Sequence, residues 1–149
     1  MSKEYTVNGI ELIRIMEATI GSCKYKLGAK PSLSLAAELI KESDCSGYVR
    51  YVLYHTTQPI IRLPEGSWYQ EQWCRWNLQG CPYEDAAKDD SIVRIAFIPP
   101  QGKKPGHVWL ICNSRTIECY GKVGAGRRKW NNTALISRKP RCFVVGKKV

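Results

Sequence analysis

The chain has 149 residues, 44% of them apolar and 24% charged, the size and balance of one globular domain. That composition excludes a disordered chain, a collagen-like fibre and a coiled-coil rod, and no apolar run reaches the roughly 18 residues that cross a bilayer. The formal net charge is +10, and all of the excess lies late: residues 1–100 carry 11 basic and 12 acidic side chains, while residues 101–149 carry 12 basic and a single acid, Glu118. So one-sided a field suits an anionic partner such as nucleic acid, anionic lipid or an acidic wall polymer, or serves only as a solvated basic face.

The predicted elements run as follows. Asn8 with Glu11 reads as a helix start, followed by Ile10, Ile13, Met16 and Ile20 at helical spacing with Leu12 widening the stripe, and Gly21 as the stop. Leu33, Ala36, Ala37 and Ile40 read as a second short helix. Ser43-Asp44 offers an N-cap for a third, over 45–55. Residues 66–79 give a weaker helix with Trp68, Trp73 and Trp76 as a core stripe. Strands are expected over 91–98, 107–112 and 115–120, the last two as a tight hairpin about Asn113-Ser114, with a final short strand over 142–145. Gly121, Gly124 and Gly126 with Arg127, Arg128 and Lys129 read as a mobile basic loop. The whole is an α+β domain over 1–149: N-terminal helices packed on a small antiparallel β-sheet.

The seven cysteines form no CxxC pair, which speaks against a zinc ribbon, and the polar segment from Met1 to Val7 lacks the apolar core of a secretory signal. Reduced, mostly buried thiols are expected, as in a protein made in the cytoplasm. Cys45 stands apart. At a helix start its side chain meets unpaired amides and the positive end of the dipole, which favour a thiolate and can hold an oxyanion. There are only two histidines. His55 lies at the far end of the same helix, about 15 Å away at about 1.5 Å per residue, which leaves His107 as the base. If Asn113-Ser114 is a two-residue turn, Cys112 pairs Arg115, Trp109 pairs Glu118 and His107 pairs Tyr120, so His107, Trp109, Glu118 and Tyr120 share one face. Glu118 then either orients His107 or pairs with a nearby Arg or Lys.

The stretch Asp44-Cys45-Ser46-Gly47-Tyr48-Val49 closely resembles the DCSG(F/L/Y)V signature of the NlpC/P60 cysteine peptidases. Gly106-His107-Val108 resembles their GHV segment, Glu118 falls where they place a polar third residue, and Leu63-Pro64-Glu65-Gly66-Ser67 with Gln70 resembles the turn after their nucleophile helix. The resemblance covers about residues 20–121. It implies a papain-like domain cutting an amide bond in peptidoglycan stem peptides, with Cys45, His107 and Glu118 catalytic and no metal or organic cofactor. Tyr25, Asp44 and Ser46 are carried over as substrate contacts, and Trp109 joins them from the shared strand face. Its implied partners are the wall peptide, an anionic polymer on the basic third, and an inhibitor or immunity protein. A monomer, exported by a dedicated machine or released by lysis, fits a phage lysin or a secreted effector, and the alternative is a cytosolic enzyme that trims recycled wall peptides. A papain-like acyltransferase or transamidase acting on lipid or protein, and a basic nucleic-acid-binding module, are the competing readings.

Overall fold

A short strand, β1 (Thr6–Val7), leads into α1 (Gly9–Thr19), whose first turn is closed by the Asn8 side chain accepting the Glu11 amide at 3.0 Å. This computed structural model describes residues 4–149; Met1 to Lys3, the start of the polar N-terminal segment, lie outside them. The buried face of α1 differs from the expected one. Leu12, Ile15 and Thr19 are buried, whereas Ile10 is 82% exposed and Ile13 and Ile20 also face outward. A stripe drawn through aliphatic residues overlooks Thr19, whose hydroxyl is satisfied inside by the Ile15 carbonyl at 2.8 Å and the Tyr48 hydroxyl at 2.7 Å.

After β2 (Lys24–Tyr25), the expected helix around Leu33 to Ile40 is reduced to one 3₁₀ turn, Ala37–Leu39. The reason lies in the carbonyls. Leu35 accepts from the Tyr51 hydroxyl at 2.5 Å and Leu33 from His55 Nε2 at 2.7 Å, so both are drawn to side chains of the next helix rather than to helical amides. β3 (Glu42–Ser43) runs parallel to β2 and leads into α2 (Cys45–Thr56), the third predicted helix, with Asp44 as its N-cap.

β4 (Thr57–Gln58) and α3 (Ser67–Asn77) follow. The tryptophan stripe of α3 is not a core stripe: Trp68 is 63% and Trp76 87% exposed, and only Trp73 packs inward, against Tyr5. Polar side chains seat this helix instead. Gln70 donates to the Ser46 and Pro64 carbonyls at 2.9 and 3.0 Å, and buried Glu71 is ion-paired to Arg141 and Arg75.

The remaining strands are β5 (Gln79–Cys81), β6 (Ile92–Ile98), β7 (His107–Cys112), β8 (Arg115–Tyr120), β9 (Gly124–Gly126) and β10 (Arg141–Lys148), with a four-residue helix α4 (Thr133–Ile136) before the last. They form one sheet in the order β4-β1-β10-β6-β7-β8-β9, with β5 also paired to β10. The sheet is therefore larger than expected, takes β1, β4 and β5 from the segment before β6, and includes one parallel pair, β1 with β10. The domain is mixed α and β, with strands set between the helices rather than after them. β10, expected as four residues, spans eight and lies inside the sheet.

Both faces of β7 are covered. Val108, Leu110 and Cys112 enter the main core with Tyr48, Val49 and Val52 of α2, while Trp109 and Ile111 enter a second cluster with Tyr83, Ile98 and Leu135. The β7–β8 hairpin has the expected register, Cys112↔Arg115 and Leu110↔Ile117, about Asn113 and Ser114 at φ 56° and 63°. Two positive φ values match a type I′ turn.

The mobile basic loop is a correction. Gly124 to Gly126 is a buried strand paired with β8, and Arg127 donates from Nε to the Thr116 carbonyl at 2.9 Å and from Nη2 to the Cys112 carbonyl at 2.6 Å. Gly124 sits at φ 85°, and a Cβ there would fall on the Cys23 carbonyl oxygen. Gly124→Ala is expected to destabilise the protein by roughly 2–4 kcal/mol, from strain and steric displacement together, as measured by chemical denaturation.

Candidate active site

The site is assembled where the N-terminus of α2 meets the end of β2 and the start of β7. Asp44 adopts extended backbone and accepts the Gly47 amide at 2.7 Å, which fixes the first turn of α2 and places Cys45 at its head. Gly47 has a packing reason to be glycine: its missing Cβ leaves room for the Ala29 carbonyl and Lys30 backbone, which pass over the helix end. Gln70 of α3 holds the Ser46 carbonyl from behind. Cys45 is 9% exposed.

His107 opens β7, and its ring stacks on Trp109 with centroids 5.4 Å apart and planes 24° apart. His107 Nε2 donates to Glu118 Oε1 at 2.6 Å. With Nε2–H so engaged, Nδ1 is the nitrogen left for a second partner. Burial alone would lower the imidazole pKa; the Cys45 thiol and the Glu118 carboxylate beside it outweigh that and raise it.

Glu118 is wholly buried and does both of the things its sequence context allowed. Besides His107 it accepts Arg128 Nε at 2.9 Å and Arg128 Nη2 at 2.7 Å, and Thr116 Oγ1 donates to it at 2.5 Å. Burial pushes its carboxyl up, but the donors from Arg128 and His107 dominate and hold it at about 2. A carboxyl whose pKa is depressed on folding adds stability above its ordinary value of 4.5 and loses it as pH falls toward about 2. Acid titration of unfolding free energy is expected to fall across that window, and Glu118→Gln to flatten the fall.

Of the other expected residues, Tyr25 lies at the site. It lines a cleft of about 320 Å³ together with His107, Tyr120, Arg128 and Arg138. Burial raises its hydroxyl pKa, with Cys45 and Asp44 adding to the effect. Asp44 and Ser46 flank Cys45, but both are buried, and they already hold an amine belonging to the chain. Lys30 Nζ is ion-paired to Asp44 Oδ2 and donates to Ser46 Oγ at 3.1 Å, while Ser46 Oγ donates to Asp44 Oδ1 at 3.3 Å. Trp109 corrects the expectation of a substrate contact. It is fully buried, donates from Nε1 to the Tyr83 hydroxyl at 3.3 Å, and serves as the platform under His107. His55 is bonded to the Leu33 carbonyl at the far end of α2, away from Cys45.

Sequence reasoning missed Lys30, Thr116 and Arg128. Thr116 carried a signal, since it stands two residues before Glu118 on the same strand face. Arg128 carried none while 121–129 read as a loop; the β8–β9 pairing is what brings it beside Glu118, over the Tyr120 ring at 4.1 Å.

Among the described residues no cluster of His, Cys, Asp and Glu is arranged to hold a metal ion, and no helix is long and apolar enough to cross a membrane. Chemically, the arrangement offers a thiol at a helix N-terminus, an imidazole beside it, and a buried carboxylate that fixes the imidazole's orientation. Comparison of the chain with protein-family models gives no match, and comparison with curated proteins gives none.

Proposed function

We propose that the chain is a papain-like cysteine peptidase or amidase of NlpC/P60 type that hydrolyses an amide bond in peptidoglycan stem peptides. The observation that carries this reading is the imidazole of His107, anchored at 2.6 Å to Glu118 and lying beside the Cys45 thiol. The order of the three along the chain and the Asp44-Cys45-Ser46-Gly47 signature around the thiol support it from the sequence.

In this mechanism the Cys45 thiolate attacks the amide carbonyl and His107, as imidazolium, is its counter-ion. Amides of the first turn of α2 hold the oxyanion, because helix-start N–H groups have no partner within the helix. His107 passes its proton to the leaving amine, and the C–N bond breaks to leave a thioester on Cys45. Neutral His107 then takes a proton from water, whose oxygen attacks the thioester and releases the acid and the thiol. Glu118 keeps the imidazole oriented throughout and Trp109 fixes the ring plane.

The cleft favours a carboxylate-bearing peptide. Arg138 lines it beside Arg128, whose charge is already paired with Glu118, and no acidic side chain lines it among the described residues. Wall stem peptides have that character. Incubation of the protein with purified peptidoglycan is expected to release peptide fragments detected by mass spectrometry, and Cys45→Ala to release none. Release of the same fragments by both would overturn the assignment. Transfer of the acyl group to an added amine in place of water would move the protein to the acyltransferase reading.

A further inference from the structure

Away from this site, Cys81 and Cys142 form a second constellation that the mechanism leaves unused. They are direct partners on antiparallel β5 and β10, and their sulfurs share a hydrogen bond at 3.3 Å. Directly opposed antiparallel residues lie about 4.5–5.5 Å apart at Cα, within the about 4.4–6.8 Å that a disulfide spans. Both cysteines line a cavity of about 850 Å³, walled by Tyr83, Trp130 and Phe143. Cys142 is buried and Cys81 is half-buried, so the pair has an outer and an inner member.

A third group completes the cluster. Arg94 of β6 is only 7% exposed; its Nη1 donates to the Ala86 and Lys88 carbonyls at 3.2 and 3.0 Å, but its Nε is buried without a partner. Its charge acts on both sulfurs. A buried guanidinium with a spare donor beside a thiol pair is a counter-ion for a thiolate.

We infer that Cys81 and Cys142 are a reactive dithiol that exchanges with low-molecular-weight disulfides entering this cavity, with Cys81 attacking and Cys142 resolving. The Cys81 thiolate attacks one sulfur of a disulfide such as oxidised glutathione. That S–S bond breaks, one glutathione leaves as thiolate, and a mixed disulfide forms on Cys81. Cys142 then loses its proton to solvent and its sulfur attacks that of Cys81, expelling the second glutathione. The dithiol is oxidised to a β5–β10 cross-link as one glutathione disulfide is reduced to two thiols. The division of labour agrees with the acidities. The hydrogen bond between the two sulfurs, aided by Arg94, lowers the Cys81 thiol, and the same bond with burial raises Cys142.

The test is peptide mapping of the full chain after exposure to graded ratios of reduced and oxidised glutathione. The wild type is expected to gain a Cys81–Cys142 linked peptide that reduced glutathione reverses. Cys142→Ser is expected to stop at a glutathionyl group on Cys81, formed about tenfold faster than on Cys23, Cys74, Cys112 or Cys119. Cys81→Ser should leave Cys142 unmodified. Circular dichroism identifies a variant that has not folded, and the wild-type map stands without the variants. Linkage of another pair, or a folded Cys142→Ser protein whose Cys81 reacts no faster than the buried thiols, would overturn the proposal.

Discussion

His107→Ala is expected to lower kcat/KM on a stem peptide by on the order of 10³- to 10⁴-fold while leaving the fold intact. The imidazole has two tasks in the proposed mechanism, as counter-ion of the thiolate and as the proton carrier for the leaving amine and the attacking water. Loss of either slows the acylation or the deacylation step, so kcat falls and KM changes little. The ring is not a major packing element: its side chain keeps 13% exposure at the cleft, and the strand beneath it is fixed by Val108, Trp109 and Leu110. Loss of its bond to buried Glu118 should lower the unfolding temperature by a few degrees while the protein stays folded at about 25 °C. A retained rate would remove His107 from the chemistry, whatever its bond to Glu118.

Arg128→Met is expected to move the acidic limb of the pH–kcat profile upward by about one unit and to lower kcat at pH 7 by up to about tenfold, one pKa unit being at most a factor of ten in the neutral base. Arg128 pairs both of its bonding nitrogens with Glu118, so the carboxylate that orients His107 is already half of an ion pair. Without Arg128 the full negative charge of Glu118 acts on His107, whose pKa, already raised by Cys45 and Glu118, rises further. Deacylation needs neutral imidazole, and less of it is present at pH 7. Glu118→Gln shifts the limb the opposite way. The double variant Glu118→Gln/Arg128→Met restores the electrical balance beside the ring, and its limb should return toward that of the wild type. A profile that moves with neither single change would mean that the Glu118–Arg128 pair is structural only. A double variant displaced as far as the sum of the two would show that charge balance is not what sets the limb.

Much of the site was legible because it rests on local rules. The cap that places Cys45 is written in Ser43-Asp44, and the alternation that puts His107, Trp109 and Glu118 on one face follows from a two-residue turn at Asn113-Ser114. What stayed hidden depends on pairing across the chain. Lys30 reaches Asp44 and Ser46 only because Gly47 lets the preceding loop cross the helix end. Arg128 reaches Glu118 only through β9, a glycine strand with no apolar alternation to announce it. The outward faces of α1 and α3 misled for a related reason. Periodicity of large apolar residues does not register Thr19, Gln70 or Glu71, whose buried hydrogen bonds and ion pairs decide which side turns inward. The sheet exceeded the expected size because two-residue strands such as β1 and β4 carry no periodic signal at all.

If Cys45 carries the acyl group, the group is found on its sulfur during turnover. The direct measurement is a rapid acid quench of the wild-type protein during turnover of a synthetic stem peptide, followed by proteolytic mapping and mass spectrometry of the cysteine-containing fragments. An acyl thioester is expected on Cys45, absent from Cys45→Ala and accumulating in variants with slowed deacylation such as Arg128→Met. Peptide fragments released with Cys45 unmodified at every quench time, and released equally by Cys45→Ala, would contradict it.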